Sequence, residues 1–221
     1  GAYIVVNSTS KYINANSSAI SGVITDGGKF KWDTEKYPGM KDFKKFGPFA
    51  YTAKLRNGLF RNTGACLSPQ NAFYNSIGME TLGLRMERVC DNAKTLAQFF
   101  ATEYSDIEVN YPGLAGSKWH NIATEQFGDK FGGIITIRTG NKKRAFGIID
   151  ALKLPLIVSN IGDTKTLVIH PESTLNVHST QEEKETAGVF DDLIRISVGI
   201  EDIEDLIDDF KQAIESVKDV Y

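Results

Sequence analysis

The chain predicts an α/β fold, and three features of its 221 residues carry that reading. Short apolar runs rich in β-branched residues, such as Tyr3-Ile4-Val5-Val6 and Leu193-Ile194-Arg195-Ile196-Ser197-Val198, have the length and composition of strands. Longer stretches repeat apolar residues at steps of three and four, as amphipathic helices do: Leu82, Met86, Val89, Ala93, Leu96 and Phe100, then Ile203, Leu206, Ile207, Phe210, Ile214 and Val217. Strand and helix readings follow one another through the second half of the sequence.

The first strand is expected over residues 3–6, buried, and the second over 19–25, closed by the turn signal Asp26-Gly27-Gly28. Ser8, Ser10 and Lys11 follow the first, so two hydroxyls and an amine leave a strand end together, where α/β enzymes place their chemistry. Turn capping by the two serines is the plainer alternative. Residues 32–62 are aromatic, basic and glycine-rich, with Pro38-Gly39 and Gly47-Pro48 as breakers and a helix expected over 49–60. Ser68-Pro69 is a helix start, with a hydroxyl at the N-cap and a proline where a missing N–H costs nothing. One long amphipathic helix should run behind it to Phe100, with Arg85, Glu87 and Arg88 on its surface or in interdomain pairs. Strands are then expected over 107–111, 134–138, 154–158 and 193–198, the second preceded by a turn at Gly132-Gly133. Between them a helix over 142–152 turns Ala145, Ile148, Ile149 and Leu152 inward. The last helix carries acids over 201–209 at its start and Lys211 and Lys218 toward its end, the order that the helix dipole favours.

Composition narrows the function classes. At 41% hydrophobic and 24% charged residues the chain reads as an ordinary globular protein rather than a disordered one. A net charge of −3 provides no basic footprint for nucleic acid. No apolar run approaches the roughly 18 residues of a membrane span, and no segment resembles a signal peptide. Two cysteines, Cys66 and Cys90, fit a reducing compartment, with the cytoplasm as the default. Cys66 reads as a small buried residue rather than a nucleophile. His120, His170 and His178 lack metal-binding spacing, so no metal is expected. Arg195 stands out because a guanidinium in an apolar strand is costly unless paired; an edge-strand pairing with Asp191 or Asp192 is the plain reading.

Four segments, in order, resemble the Cys/Met-metabolism family of pyridoxal-phosphate (PLP) enzymes. They are the stretch from Tyr3 to Lys11-Tyr12; Gly22-Val23-Ile24 with Asp26-Gly27-Gly28-Lys29-Phe30; Gly64-Ala65-Cys66-Leu67-Ser68-Pro69 with Glu80-Thr81-Leu82 and Leu84-Arg85-Met86-Glu87-Arg88; and Leu193 through Asp202. The long segment 32–62 is similar to that of the O-acetylhomoserine sulfhydrylases. The resemblance implies PLP fold type I: residues 1–68 as the end of the PLP-binding large domain, and 69–221 as a linking helix and a small α/β domain with an antiparallel-rich sheet covered by helices. It implies Lys11 as Schiff-base lysine and proton carrier, Ser8 and Ser10 as phosphate ligands, and Arg195 with Ser159 as holders of the substrate carboxylate. The implied reaction is homocysteine formation from O-acetylhomoserine and sulfide, by a homotetramer. On this resemblance the chain looks like a C-terminal half. The acid that pairs with the pyridine nitrogen, the ring-stacking aromatic and the phosphate loop should lie upstream of Gly1 or on a second chain.

One departure stands out: Tyr12-Ile13-Asn14-Ala15-Asn16-Ser17-Ser18 replaces the glycine-rich, histidine-containing stretch usual after the lysine. A methionine γ-lyase or cystathionine γ-synthase is the alternative enzyme reading, against which segment 32–62 argues. A purely structural or interaction fragment is the alternative from another class.

Overall fold

The computed structural model describes residues 2–217, so Lys218 lies outside the described residues. The chain divides into two compact units, one built from the residues up to Ser10 with Ser18–Ile77, the other from Lys11–Ser17 with the residues from Gly78 on.

In the first unit β1 (Ile4–Ser8) pairs antiparallel with β2 (Gly22–Asp26), with Ile4 opposite Asp26 and Ser8 opposite Gly22. The strand extends two residues past its apolar run. The expected burial is not found: Val5 is 42% and Val6 70% exposed. A two-stranded ribbon has no third strand or helical layer to cover its apolar side chains. A 3-10 helix over Pro38–Phe49 follows, interrupted at Gly47, whose φ of 55° only glycine adopts without strain. The helix expected over 49–60 is present, but in three hydrogen-bonding patterns: α1 (Ala50–Lys54), a π-helical turn over Leu55–Phe60, and α2 (Arg61–Thr63). Trp32 stacks on Tyr51 with centroids 5.8 Å apart and anchors this region. Cys66 is exposed rather than buried, because its stretch is an open connection with nothing packed over it. Ser68 does start a helix, its Oγ accepting from the Asn71 amide at 3.2 Å.

The single long helix is in fact two, α3 (Pro69–Glu80) and α4 (Leu82–Glu103), parted at Thr81 with φ −108° and ψ 4°. The cause is Arg85, which is 8% exposed and not on the surface. Its Nη2 donates to the Gly78 carbonyl at 2.7 Å, the acceptor that residue 82 would use in an unbroken helix. Its Nε donates to Thr81 Oγ1 at 3.0 Å.

The second unit holds a five-stranded sheet. Along the chain come β3 (Glu108–Asn110), α5 (His120–Phe127), β4 (Ile134–Arg138), α6 (Lys142–Ala151), β5 (Leu156–Ile157), β6 (Leu167–Ile169), α7 (Gln181–Thr186), β7 (Leu193–Ser197) and α8 (Ile203–Ser216). The spatial order is β3-β4-β7-β6-β5, antiparallel except between β5 and β6. Helix α8 packs on α4 and α6, with Phe210 edge-on to Phe100 at 5.2 Å over Ile135, Ile137, Ile194 and Ile196 of the sheet. This mixed α/β architecture is the expected class. No helix among the described residues is long and apolar enough to cross a membrane.

Glu172 ties α6 to α7, accepting from Lys142 Nζ at 2.9 Å and from Lys184 Nζ. Those two hydrogen bonds hold its carboxyl down to about 2. A depressed carboxyl stabilises the fold above its unfolded value of about 4.3 and loses that contribution as pH falls toward 2. Thermal melts of Glu172→Gln should therefore lie below those of the native chain at pH 7 and converge with them near pH 2.

Candidate active site

Lys11, the expected Schiff-base lysine, opens residues 11–17, which form a tight turn: the amides of Asn14 and Ala15 both donate to the Lys11 carbonyl, at 3.1 and 3.2 Å. Its fixings come from later parts of the second unit. Arg85 Nη1 donates to the Tyr12 carbonyl at 2.7 Å, and the Thr164 amide to the Ala15 carbonyl at 2.9 Å. Gly78 must be glycine, since a Cβ there would lie 2.2 Å from the Ile13 carbonyl oxygen; at Gly162 it would lie 2.6 Å from the Tyr12 nitrogen. The Tyr12 phenol, pushed up by burial, hydrogen-bonds Ser197 and the Gly133 backbone. Lys11 thus enters a turn clamped on two sides.

Ala15 and Ser17, in the stretch that departs from the family pattern, have φ of 79° and 58°, the only positive values outside glycine among the described residues. A left-handed conformation costs an L-residue roughly 1 to 2 kcal/mol. Ala15→Gly should accordingly stabilise the chain by about 0.5 to 1 kcal/mol after the entropy of the unfolded glycine is deducted, read as a raised urea midpoint.

The Lys11 ammonium donates to Asn160 Oδ1. Arg195, half-buried in β7 between Ile194 and Ile196, donates from Nη2 to the Asn160 main-chain carbonyl at 3.2 Å. One residue therefore meets both the lysine and the arginine that the sequence singles out. Ser159 precedes it, exposed in the turn after β5. The rival partners of Arg195 are engaged elsewhere or exposed: Asp192 binds Arg138 Nε at 2.9 Å and the Gly140 amide at 3.0 Å, and Asp191 is exposed. Among the described residues no carboxylate pairs with Arg195. Burial lowers its pKa from the usual guanidinium value.

Ser8 and Ser10 belong to the first unit. Ser8 ends β1 and is exposed. Ser10 Oγ donates to the Ser21 carbonyl at 3.2 Å and accepts from the Ser21 amide at 2.8 Å, a reciprocal pair across the β1–β2 connection rather than local turn capping. Two of the three histidines have structural partners: His120 Nδ1 meets the Pro112 carbonyl, and buried His170 lies between Ser173 and the Asp191 carbonyl. Asn160 was not singled out in the sequence, where its position beside Ser159 in Val158-Ser159-Asn160-Ile161-Gly162 is the one available signal.

Within the second unit, the Lys11 amine is of a kind that condenses with an aldehyde, and the Arg195 guanidinium of a kind that takes a carboxylate. The chain is 39% identical over 228 residues to an O-acetyl-L-homoserine sulfhydrylase of Corynebacterium glutamicum, covering 96% of this chain and 52% of that one. It is similar to the crystal structure of an O-acetylhomoserine sulfhydrylase of Wolinella succinogenes, with a TM-score of 0.81 at 36% identity over 97% of this chain and 57% of that one. A Campylobacter jejuni structure carrying N'-pyridoxyl-lysine-5'-monophosphate matches with a TM-score of 0.88 at 32% identity, over 97% and 54%. The chain spans about half the length of the curated relatives it matches. The sequence profile described as "Cys/Met metabolism PLP-dependent enzyme" matches residues 1–215, and the chain belongs to that family.

Proposed function

We propose that this chain is the lysine-bearing and carboxylate-binding half of a PLP-dependent O-acetylhomoserine sulfhydrylase. Residues 1–68 are read as the end of the PLP-binding domain and 69–221 as the linking helix and small domain. The observation that carries the proposal is the meeting of Lys11 and Arg195 on Asn160, an amine and a guanidinium without a carboxylate partner, in a chain whose relatives are named sulfhydrylases.

In this reading Lys11 holds the cofactor and, once released, carries protons at the carbons beside the substrate amino group. Ser8 and Ser10 offer hydroxyls to the phosphate. Arg195 forks the substrate α-carboxylate, with the Ser159 hydroxyl beside it. When bound, PLP supplies the electron-poor ring that acidifies those carbons. Overall the Cγ–O bond of O-acetylhomoserine breaks, a Cγ–S bond to sulfide forms, and acetate leaves with one of the two protons of hydrogen sulfide. The acid facing the pyridine nitrogen, the stacking aromatic and the phosphate loop belong to the part of such an enzyme that this chain does not span, on the same or a second polypeptide. A cytoplasmic homotetramer is the expected setting.

The test is an assay of the chain, purified with any polypeptide that accompanies it and supplied with PLP. Homocysteine should form from O-acetylhomoserine and sulfide faster than methionine or cysteine is broken down. Breakdown of methionine without homocysteine synthesis would replace the proposal with a γ-lyase, and failure to bind PLP in a preparation that also holds a polypeptide carrying the acid, the stacking aromatic and the phosphate loop would remove it.

A further inference from the structure

Asn160 is the head of a chain of hydrogen bonds that runs in one direction. The Lys11 ammonium donates to its Oδ1. Its Nδ2 donates to Ser17 Oγ at 2.6 Å. Ser17 Oγ in turn donates to Asp163 Oδ2 at 3.1 Å. Every donor points from the amine toward the carboxylate. In such a series each bond polarises the next, so an amide whose N–H is engaged presents a more basic oxygen to its own donor. Ser17, the middle link, sits in the left-handed region at φ 58°, a strain that a serine tolerates at functional positions when its side chain is needed there.

We infer that Asn160, Ser17 and Asp163 are positioning residues for Lys11: a polarised relay that holds the free amine as an oriented cation whenever it is not bound to the cofactor. Its purpose rests on the proposed role of Lys11; its existence does not. The other charges around it are Arg195, which meets the Asn160 main-chain carbonyl, and Lys165, 4.0 Å from Asp163 Oδ1. Both are cations, so Asp163 is the anion that ends the relay. The neighbouring Tyr12 hydroxyl is turned to Ser197. Asp163 Oδ1 is occupied by the Lys165 amide at 3.1 Å, which leaves Oδ2 for Ser17.

The test is the pH dependence of trace acetylation of Lys11 by acetic anhydride, read by mass spectrometry on the full chain without added cofactor. Asn160→Ala should lower the apparent Lys11 pKa by about half a unit or more, since a hydrogen bond to a charged group is lost. Asn160→Asp should raise it, and Asp163→Asn should lower it less than Asn160→Ala does. Ser17→Gly is the sharpest variant: relief of the strained φ should raise thermal stability while loss of the hydroxyl lowers the pKa, a pairing that a merely structural serine would not produce. Asp163→Asn should have no further effect once Asn160 is alanine. An unchanged Lys11 titration in both Asn160→Ala and Ser17→Gly would overturn the relay. PLP with borohydride on the native chain separates this from the functional reading: a pyridoxyl mass on another lysine removes the reading and leaves the titration to decide the relay, whereas a mass on Lys11 with an unresponsive titration removes the relay alone.

Discussion

Lys11→Ala should abolish turnover outright, with at least about a thousandfold loss in kcat rather than a raised KM, because in the proposed function the missing amine acts in the chemical steps and not in uniform substrate binding. In the active preparation the native protein should be yellow, and borohydride should fix the pyridoxyl mass on the peptide containing Lys11. The variant should lose both the fixed mass and the activity while keeping its fold, since the Lys11 side chain contributes one contact, to Asn160, whereas the turn around it is held by main-chain bonds and by Arg85. Label on a different lysine, or residual turnover within tenfold of native, would remove Lys11 from its role.

Arg195→Leu should weaken amino-acid binding while the cofactor absorbance stays in place. The guanidinium lies in β7 between buried isoleucines, and among the described residues it donates to the Asn160 carbonyl. Removing one partner of a buried charge-assisted pair costs roughly 2 to 5 kcal/mol, so the apparent affinity for O-acetylhomoserine should fall by more than tenfold. Leucine suits the apolar strand, so the fold should persist. Arg195→Lys should recover only part of the loss, since an ammonium cannot make the two-pronged contact. A change smaller than tenfold in the leucine variant would count against a carboxylate at this position.

What the sequence made legible follows the reach of each signal. Helices α4 and α8 and strands β4 and β7 carry long periodic or β-branched runs, and their apolar faces are the observed core. Strand β6 has three residues, too few for any period to show, although all three are buried. Helix α7 was also passed over, yet Thr180 and Glu183 form a capping box that a search for a hydroxyl followed three residues later by a glutamate would have found. Exposure of β1 was illegible because an apolar run reports what a strand would bury, not whether a layer is there to bury it. Arg85 looked like a surface charge among charged neighbours; its burial depends on carbonyls at Gly78 and Tyr12 that no helical pattern reveals. Lys11, Ser159 and Arg195 were named from their motifs. Asn160, 149 residues from Lys11 along the chain, becomes visible only when the fold closes that distance.

Arg85 has a consequence for how the lysine's neighbourhood unfolds. The guanidinium that parts α3 from α4 also grips the Tyr12 carbonyl, so residues 11–17 are joined to the start of a core helix rather than to the exposed ribbon that precedes them in sequence. Cooperative opening follows contacts, not sequence order. The amides of Asn14 and Ala15 should therefore exchange with solvent only as fast as the small sheet and its helices open, more slowly than those of the two-stranded ribbon a few residues earlier. The Lys11 amine thus shares the thermodynamic fate of Phe100, Ile196 and Phe210, and a packing defect among those side chains would be felt at Lys11 as a loss of order before any residue touching it had changed.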